Sequence, residues 1–410
     1  MGLDDRQGRR LILAAAAAGL VARLVFGFVY WTGKPLTHDE REYLELAASL
    51  QEGHGFTYQR PAAGTSPQFG RAPGYPLLLA AIGAGSIDAS STPARVKVAQ
   101  ALVGAFTVWL IGIIAFRSAG PAAGALAAMI AAIYPPLVWM TVYVLSETVY
   151  SAVVISGALL LQKAVDSTGT DGRGHNTLGL AAGALVGAAI LIRPVALVFL
   201  PLAVLWLVAT RRVVLAVAFV AAAIATVAPW TARNLRVHDR FILVASEGGV
   251  TFWTGNHPLA TGEGDLAANP DLKRAEIEFR RAHPNLSGDE LEPLYYRDAL
   301  AFIREQPGRW AVLVARKAFF TLVPIGPSYA LHSARYRIAS VASYLLLLPF
   351  AVAGARRLWR SPRRPTAIFL LAASAMLICL VFFPQERFRI PVIDPTLIIC
   401  AAALGNRHHL

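Results

Sequence analysis

Apolar positions in this chain fall into long blocks separated by short polar joints, and the block length is the first thing that constrains the fold. Runs of roughly 17 to 25 apolar residues, the length a helix needs to cross a bilayer, occur near 11–31, 94–116, 119–138, 142–163, 176–193, 194–210, 212–230, 336–355, 366–384 and 390–405. The pattern predicts an all-α polytopic membrane protein of about ten crossings, organised as one membrane domain over 1–410. Two longer polar stretches, 32–93 and 231–335, interrupt the blocks. In the first, Tyr43, Leu46, Ala47 and Leu50 recur at helical spacing and Gly53 and Gly55 follow, which predicts a helix along the membrane surface over Asp39 to Glu52. Tyr75 to Ile87 is apolar but short for a crossing, so a second interfacial helix is expected there. In the second stretch, charges of both signs alternate from Asp271 to Arg309 and read as helices lying over the membrane. Trp310 to Pro327, interrupted by Arg316 and Lys317, is placed at the outer interface.

Composition agrees with the pattern: 56% of the 410 residues are hydrophobic and the mean hydropathy is +0.51, too apolar for a soluble domain. The net charge of +13 is spread over short joints, at Arg6, Arg9 and Arg10, at Arg211 and Arg212, and from Arg356 to Arg364. That distribution is a positive-inside signal and argues against a nucleic-acid surface, which would gather its cations on one domain. It sets both termini in the cytoplasm and the two long stretches outside, as in a bacterial inner-membrane protein. The first apolar run has no convincing cleavage site and is read as a retained anchor. Cys379 and Cys400 lie in apolar runs, where they are packing residues, not a disulfide framework or a metal site.

Candidate chemistry gathers at the outer ends of the blocks. Thr37-His38-Asp39-Glu40 has capping-box spacing, with Thr37 as cap and Glu40 bonding back. Asp39 stands at the second helical position, where the helix dipole favours it and where a general base would meet a lipid-borne substrate. In Arg71-Ala72-Pro73-Gly74-Tyr75-Pro76 the prolines hold the backbone extended, so Arg71 reads equally as a snorkelling cation or as a phosphate ligand. Glu147 is an ionisable group in or beside a span, an expensive placement that favours function. Arg193-Pro194 marks an outer turn, and Pro229-Trp230-Thr231-Ala232-Arg233-Asn234 ends a span with a belt aromatic and a cation. Glu386-Arg387-Phe388-Arg389 puts two cations in a short outer joint where the charge bias predicts few, which favours an anionic partner. His38, His54, Asp39 and Glu40 match no specific ligand spacing, so no cofactor is called for and a divalent metal is disfavoured.

Taken in order, Asp39-Glu40 with Tyr43, Leu46-Ala47, Leu50, Gly53 and Gly55-Phe56, then Arg71 to Pro76, Ser146-Glu147, Arg193-Pro194, Pro229-Trp230 with Arg233-Asn234, Gly255-Asn256, and Glu386 to Arg389 with Pro391 resemble the GT-C superfamily of integral-membrane glycosyltransferases. The similarity is to the group that holds bacterial protein O-mannosyltransferases, aminoarabinose transferases and lipopolysaccharide-core sugar transferases. It implies inverting transfer of a sugar from a polyprenyl-phosphate donor to a lipid, glycan or protein acceptor on the outer face. On that resemblance Asp39 takes the place of the family's loop aspartate and Arg71 that of its basic residue, with Ala72 where the family often has proline. Bottom-up chemistry asks for the same parts: a base for the acceptor hydroxyl and cations for the departing phosphate. Asp39 is the candidate base. Arg71, Arg193, Arg233, Arg387 and Arg389 are the candidate phosphate ligands, and Glu40, Tyr43, Tyr75, Glu147, Asn234 and Asn256 the candidate substrate contacts. Tyr43, Tyr75 and Trp253 could stack on a sugar or anchor the interface. The chain is short for the family, so acceptor recognition is expected to rest on the membrane cavity and the 231–335 stretch, or on a partner. A transporter or flippase of a lipid-linked or anionic solute, or a non-catalytic protein of the same fold, is the alternative reading.

Overall fold

The computed structural model describes residues 3–58, 70–167, 172–264, 266–323, 325 and 333–405. Among these the chain is helical, with a single isolated bridge between Pro35 and Ser91 as its only extended pairing. Helix α1 (Asp5–Val25) starts at Asp4, whose side chain accepts from the Gln7 amide at 2.7 Å while its own amide donates to Gln7 Oε1 at 3.2 Å. It runs on through a wider turn at Phe26–Tyr30. Two short helices follow, α2 (His38–Gln51) and α3 (Gly74–Ala81), where the amphipathic and short apolar stretches predicted them. Helix α4 (Ala94–Ala119) turns at Gly120, φ 93°, a backbone state that glycine adopts without strain, into α5 (Pro121–Ile133). Pro135-Pro136 then breaks the chain direction by 61° into α6 (Pro135–Trp139).

The remaining apolar blocks give α7 (Glu147–Asp166), α8 (Gly172–Ile192), α9 (Phe199–Ala209) after a tight turn at Pro194–Val198, and α10 (Val213–His238). The polar stretch folds as α11 (Gly248–Gly255), α12 (Pro270–Arg281), α13 (Gly288–Glu305) and α14 (Pro307–Leu322). The chain closes with α15 (Ala334–Trp359), α16 (Thr366–Val381), the one-turn α17 (Glu386–Arg389) and α18 (Ile393–Ala402). The far end of the 310–327 segment, at 324 and 326–327, lies outside the described residues.

Every apolar block is helical, but the blocks are not equal. Five helices, α1 with its turn, α4, α7, α10 and α15, have the length and apolarity of a span, and the bent α5–α6 pair makes a sixth. The other four, at 176–192, 194–209, 366–381 and 393–405, are shorter apolar helices. One boundary moves: α10 continues to His238, so Trp230, Arg233 and Asn234 stand on the helix and not in the loop after it. α8 packs between α7 and α10, and Gly179, Gly183 and Gly187 set its approach to α10. A Cβ at Gly183 would stand 2.1 Å from the Phe219 carbonyl oxygen, so only glycine allows these backbones to meet. Trp253, Leu272, Leu291, Tyr295 and Ala299 form a second apolar cluster joining α11, α12 and α13.

Candidate active site

The start of α2 is fixed twice by one residue. The Thr37 amide donates to Glu40 Oε2 at 2.8 Å, closing the capping box, and the Val144 amide donates to Glu40 Oε1 at 2.8 Å. Glu40 is 2% exposed, and both of its oxygens serve to hold α2 against the segment that leads into α7. That anchor presents Asp39, and its neighbours on the same helix face, to the space between the Glu147 end of α7, the Ile192 end of α8 and the Val381 end of α16.

Arg71 arrives from the opposite side. The Gly70 amide donates to Ser246 Oγ at 2.8 Å and the Ser246 amide donates to the Gly70 carbonyl at 3.0 Å, which ties 70–71 to 246–247 and brings Glu247 alongside. Arg71 Nη2 is then 2.8 Å from Asp39 Oδ1, Nε donates to Glu42 Oε2 at 2.9 Å, and Nη1 donates to Glu247 Oε2 at 3.0 Å. Its guanidinium lies 5.4 Å from the centre of the Tyr43 ring, which Tyr75 meets edge-on at 5.0 Å. The second Asp39 oxygen, Oδ2, accepts from Arg387 Nη1 at 2.7 Å, and Arg387 Nε donates to Gln385.

Arg193, extended at φ −146° before Pro194, places Nη1 2.7 Å from Glu147 Oε1 and donates to Ser146 Oγ at 3.1 Å. The contact with Glu147 is a misaligned ion pair, so neither oxygen of this carboxylate, 1% exposed, has a hydrogen-bond donor. Arg193 and Arg387 both lie against the Phe388 ring, at 5.2 and 5.4 Å from its centre.

These side chains line one cavity of about 410 Å³. Its polar end carries Asp39, Arg71, Glu147, Arg193, Glu247 and Arg387. Its long wall is apolar, built from Leu145, Ile192, Val195, Val198, Ile378 and Phe382. Burial alone would raise the Asp39 carboxyl, but the cations Arg387 and Arg71 outweigh it and hold Asp39 well below the usual carboxylate range. Burial acts against the Arg71 guanidinium too, and Glu247, Asp39 and Glu42 overcome it to push Arg71 above its ordinary value. Among the described residues no group of three or more His, Cys, Asp and Glu side chains stands in a metal-holding arrangement.

The cavity therefore unites five of the sequence candidates with Asp39 at their centre: Tyr43, Arg71, Glu147, Arg193 and Arg387. The others stand elsewhere. Arg233 donates to the Phe56 carbonyl and stacks 4.8 Å over Trp230. Arg389 pairs with Asp394 at 2.7 Å beneath Tyr344. Tyr75 is buried behind Tyr43. Asn234 donates to the Ile242 and Val244 carbonyls. Asn256 joins α11 to α14 and α16 by accepting from Trp310 and Lys317 and donating to the Val381 carbonyl. Trp253 is enclosed by Tyr295, Phe279 and His257. Sequence reasoning missed Glu42 and Glu247, and named Phe388 only as part of the Glu386 to Arg389 joint. Glu42, one turn after His38 and paired with it at 3.3 Å, could have been found from helical spacing.

Residues 73–232 match the family model described as dolichyl-phosphate-mannose-protein mannosyltransferase. No curated protein matches the sequence. Among solved structures, the oligosaccharyltransferase of Archaeoglobus fulgidus tethered with an acceptor peptide containing the NVT sequon aligns with a TM-score of 0.58 at 13% identity, over 98% of this chain and 49% of that one. The same organism's oligosaccharyltransferase AglB, in complex with an inhibitory peptide and a dolichol-phosphate, gives 0.54 at 14% identity, over 97% and 50%. ArnT from Cupriavidus metallidurans bound to undecaprenyl phosphate gives 0.44 at 15% identity, over 96% and 76%. The chain thus spans about half the length of the archaeal chains, and at these identities the likeness to them is one of fold. The matched family model and this fold make the chain similar to the GT-C membrane glycosyltransferases.

Proposed function

We propose that the chain transfers a sugar from a polyprenyl-phosphate-linked donor to an acceptor hydroxyl, with inversion, at the extracytoplasmic face of a bacterial inner membrane. The observation that carries this reading is the single cavity that sets one carboxylate between two guanidiniums and continues into an apolar wall. A lipid phosphate has that division of character, a charged head on a hydrocarbon chain. The dolichol-phosphate held by the archaeal AglB structure is a ligand of the same chemical class.

In the proposed reaction the acceptor oxygen forms a bond to the anomeric carbon as the bond from that carbon to the phosphate oxygen breaks. The acceptor proton passes to Asp39, and the departing polyprenyl phosphate keeps the electron pair and is stabilised by arginine. Arg387 and Arg193 suit the phosphate best, because each carries one carboxylate partner whereas Arg71 is engaged by three. Arg71 then positions Asp39. A carboxylate held by two arginines is a weak base. Phosphate binding to Arg387 would withdraw one of the two cations and restore basicity to Asp39 when the donor is in place.

The test is transfer of labelled sugar from a panel of polyprenyl-phosphate monosaccharides by the purified protein and by Asp39→Asn, with membrane extract as acceptor source. Asp39-dependent transfer from one donor is expected. Full activity in Asp39→Asn would remove Asp39 as the base. No turnover by either protein, with lipid phosphate bound equally, would favour a transporter or a non-catalytic role.

A further inference from the structure

A second cavity, of about 660 Å³, adjoins the first, and Leu243, Ala245, Glu292 and Tyr296 belong to the walls of both. One side of it is the segment that follows α10. The other is a stripe of α13 made by Pro293, Tyr296, Arg297, Leu300 and Arg304, positions three and four apart that share one helix face.

The first side is held rigidly. Trp230 Nε1 donates to the Val244 carbonyl at 2.8 Å, Thr231 Oγ1 to the Leu243 carbonyl at 2.8 Å, and Asn234 Nδ2 to the Ile242 carbonyl at 3.0 Å. Trp230, Thr231 and Asn234 on α10 thus brace this wall. The same bonds occupy three successive carbonyls, which disfavours a peptide adding itself as a strand.

The chemistry of the groove is amphipathic. Phe241 is 74% exposed, and Leu243 and Leu300 are exposed beside it, an apolar concavity at the end of a helix whose own Leu235 and Val237 face outward. Arg297 and Arg304 are exposed, and no acidic partner stands against either among the described residues. Two turns apart on α13, they lie about 10 Å from each other along the axis. In the first cavity, by contrast, every arginine is paired with a carboxylate.

We propose that this groove is the acceptor site, and that the acceptor is a membrane amphiphile bearing acidic groups: hydrocarbon against Phe241, Leu243 and Leu300, acidic headgroup on Arg297 and Arg304, and its hydroxyl delivered past Glu292 and Tyr296 to Asp39. The assignment rests on the glycosyltransferase reading for the word acceptor. The groove's preference for an anionic amphiphile stands on its own residues.

The test has two arms. In neutral detergent, binding of dansyl-labelled lysophosphatidic acid and dansyl-labelled lysophosphatidylcholine is measured for the wild type, for Arg297→Glu/Arg304→Glu and for Arg297→Lys/Arg304→Lys. We expect about tenfold preference for the acidic probe, from two exposed charges acting together, lost in the glutamate pair and kept in the lysine pair. Equal binding of both probes, or an acidic preference that survives charge reversal, would overturn the proposal. In the second arm the glutamate pair raises the KM for an acidic-lipid acceptor fraction about tenfold and the lysine pair keeps it near the wild-type value. An unchanged acceptor KM would also overturn it. Should the wild type neither transfer nor release sugar, the glycosyltransferase reading fails, and the probe arm still decides the groove.

Discussion

Replacing Arg71 by alanine leaves Asp39, Glu42 and Glu247 around the space of their common cation. The carboxylate side chains are 25, 13 and 33% exposed and Arg71 itself 16%, so the cluster is neither a surface pair nor fully sealed. Removing one partner of a buried pair costs about 3–5 kcal/mol and a surface pair about 0–1, which puts Arg71→Ala at roughly 2 kcal/mol after allowance for solvent. Arg387→Ala should cost less, because it strands a single carboxylate, Asp39, which still keeps Arg71. The assay is thermal unfolding of the purified protein in detergent for Arg71→Ala, Arg387→Ala and Arg71→Ala/Glu247→Gln. Arg71→Ala should melt lowest, and adding Glu247→Gln should restore part of the loss by removing one of the stranded charges. An Arg71→Ala protein that melts with the wild type, or a double variant that melts below the single one, would refute the idea that Arg71 is a structural cation.

Two further predictions concern positions away from Asp39. Burial raises the Glu386 carboxyl from 4.5 to about 7, despite a hydrogen bond from Ser340 and the nearby Arg389. The folded state therefore holds this proton over a range where the unfolded chain has lost it, so its contribution to stability is full below about pH 4.5 and disappears as pH rises through 7, a change of about 3 kcal/mol at most. Melting measured between pH 5 and 8 should fall with pH in the wild type more than in Glu386→Gln. At the helix crossing, Gly183→Ala introduces a Cβ 2.1 Å from the Phe219 carbonyl oxygen. Parting the backbones of α8 and α10 should cost about 1–3 kcal/mol, read as a lower melting temperature with unchanged helical circular dichroism.

The apolar blocks were legible because a helix satisfies every backbone hydrogen bond within one segment, as a span inside a bilayer requires unless the chain closes a barrel. Their lengths as helices were harder to read. Pro135-Pro136 cuts the 119–138 block, which hydropathy alone runs together. The Thr37 capping box was readable because it is local. The neighbours of Arg71 were not, since Glu247 and Ser246 stand 176 residues from the residues they bind and no periodicity spans such a gap. Glu147 was picked out as a costly charge and Arg193 as the cation of a turn, but their pairing depends on how α7 and α8 pack. Trp230 and Asn234 show the opposite failure. Their types suited an interface anchor and a substrate contact, and the fold uses them to brace the backbone at 242–244.

The same packing that hides these pairings explains why the first cavity is nearly neutral. An arginine brought to the membrane edge loses much of its hydration and must recover it from an opposite charge. Arg71 does so with three carboxylates, Arg193 with Glu147 and Arg387 with Asp39. On the proposed reading a phosphate does not enter a vacant cationic site. It exchanges with a carboxylate already there, and the exchange at Arg387 sets free the oxygen of Asp39 that a proton acceptor needs. Donor binding and base activation then become one event, so an acceptor that arrives first meets an aspartate still bound to both of its arginines.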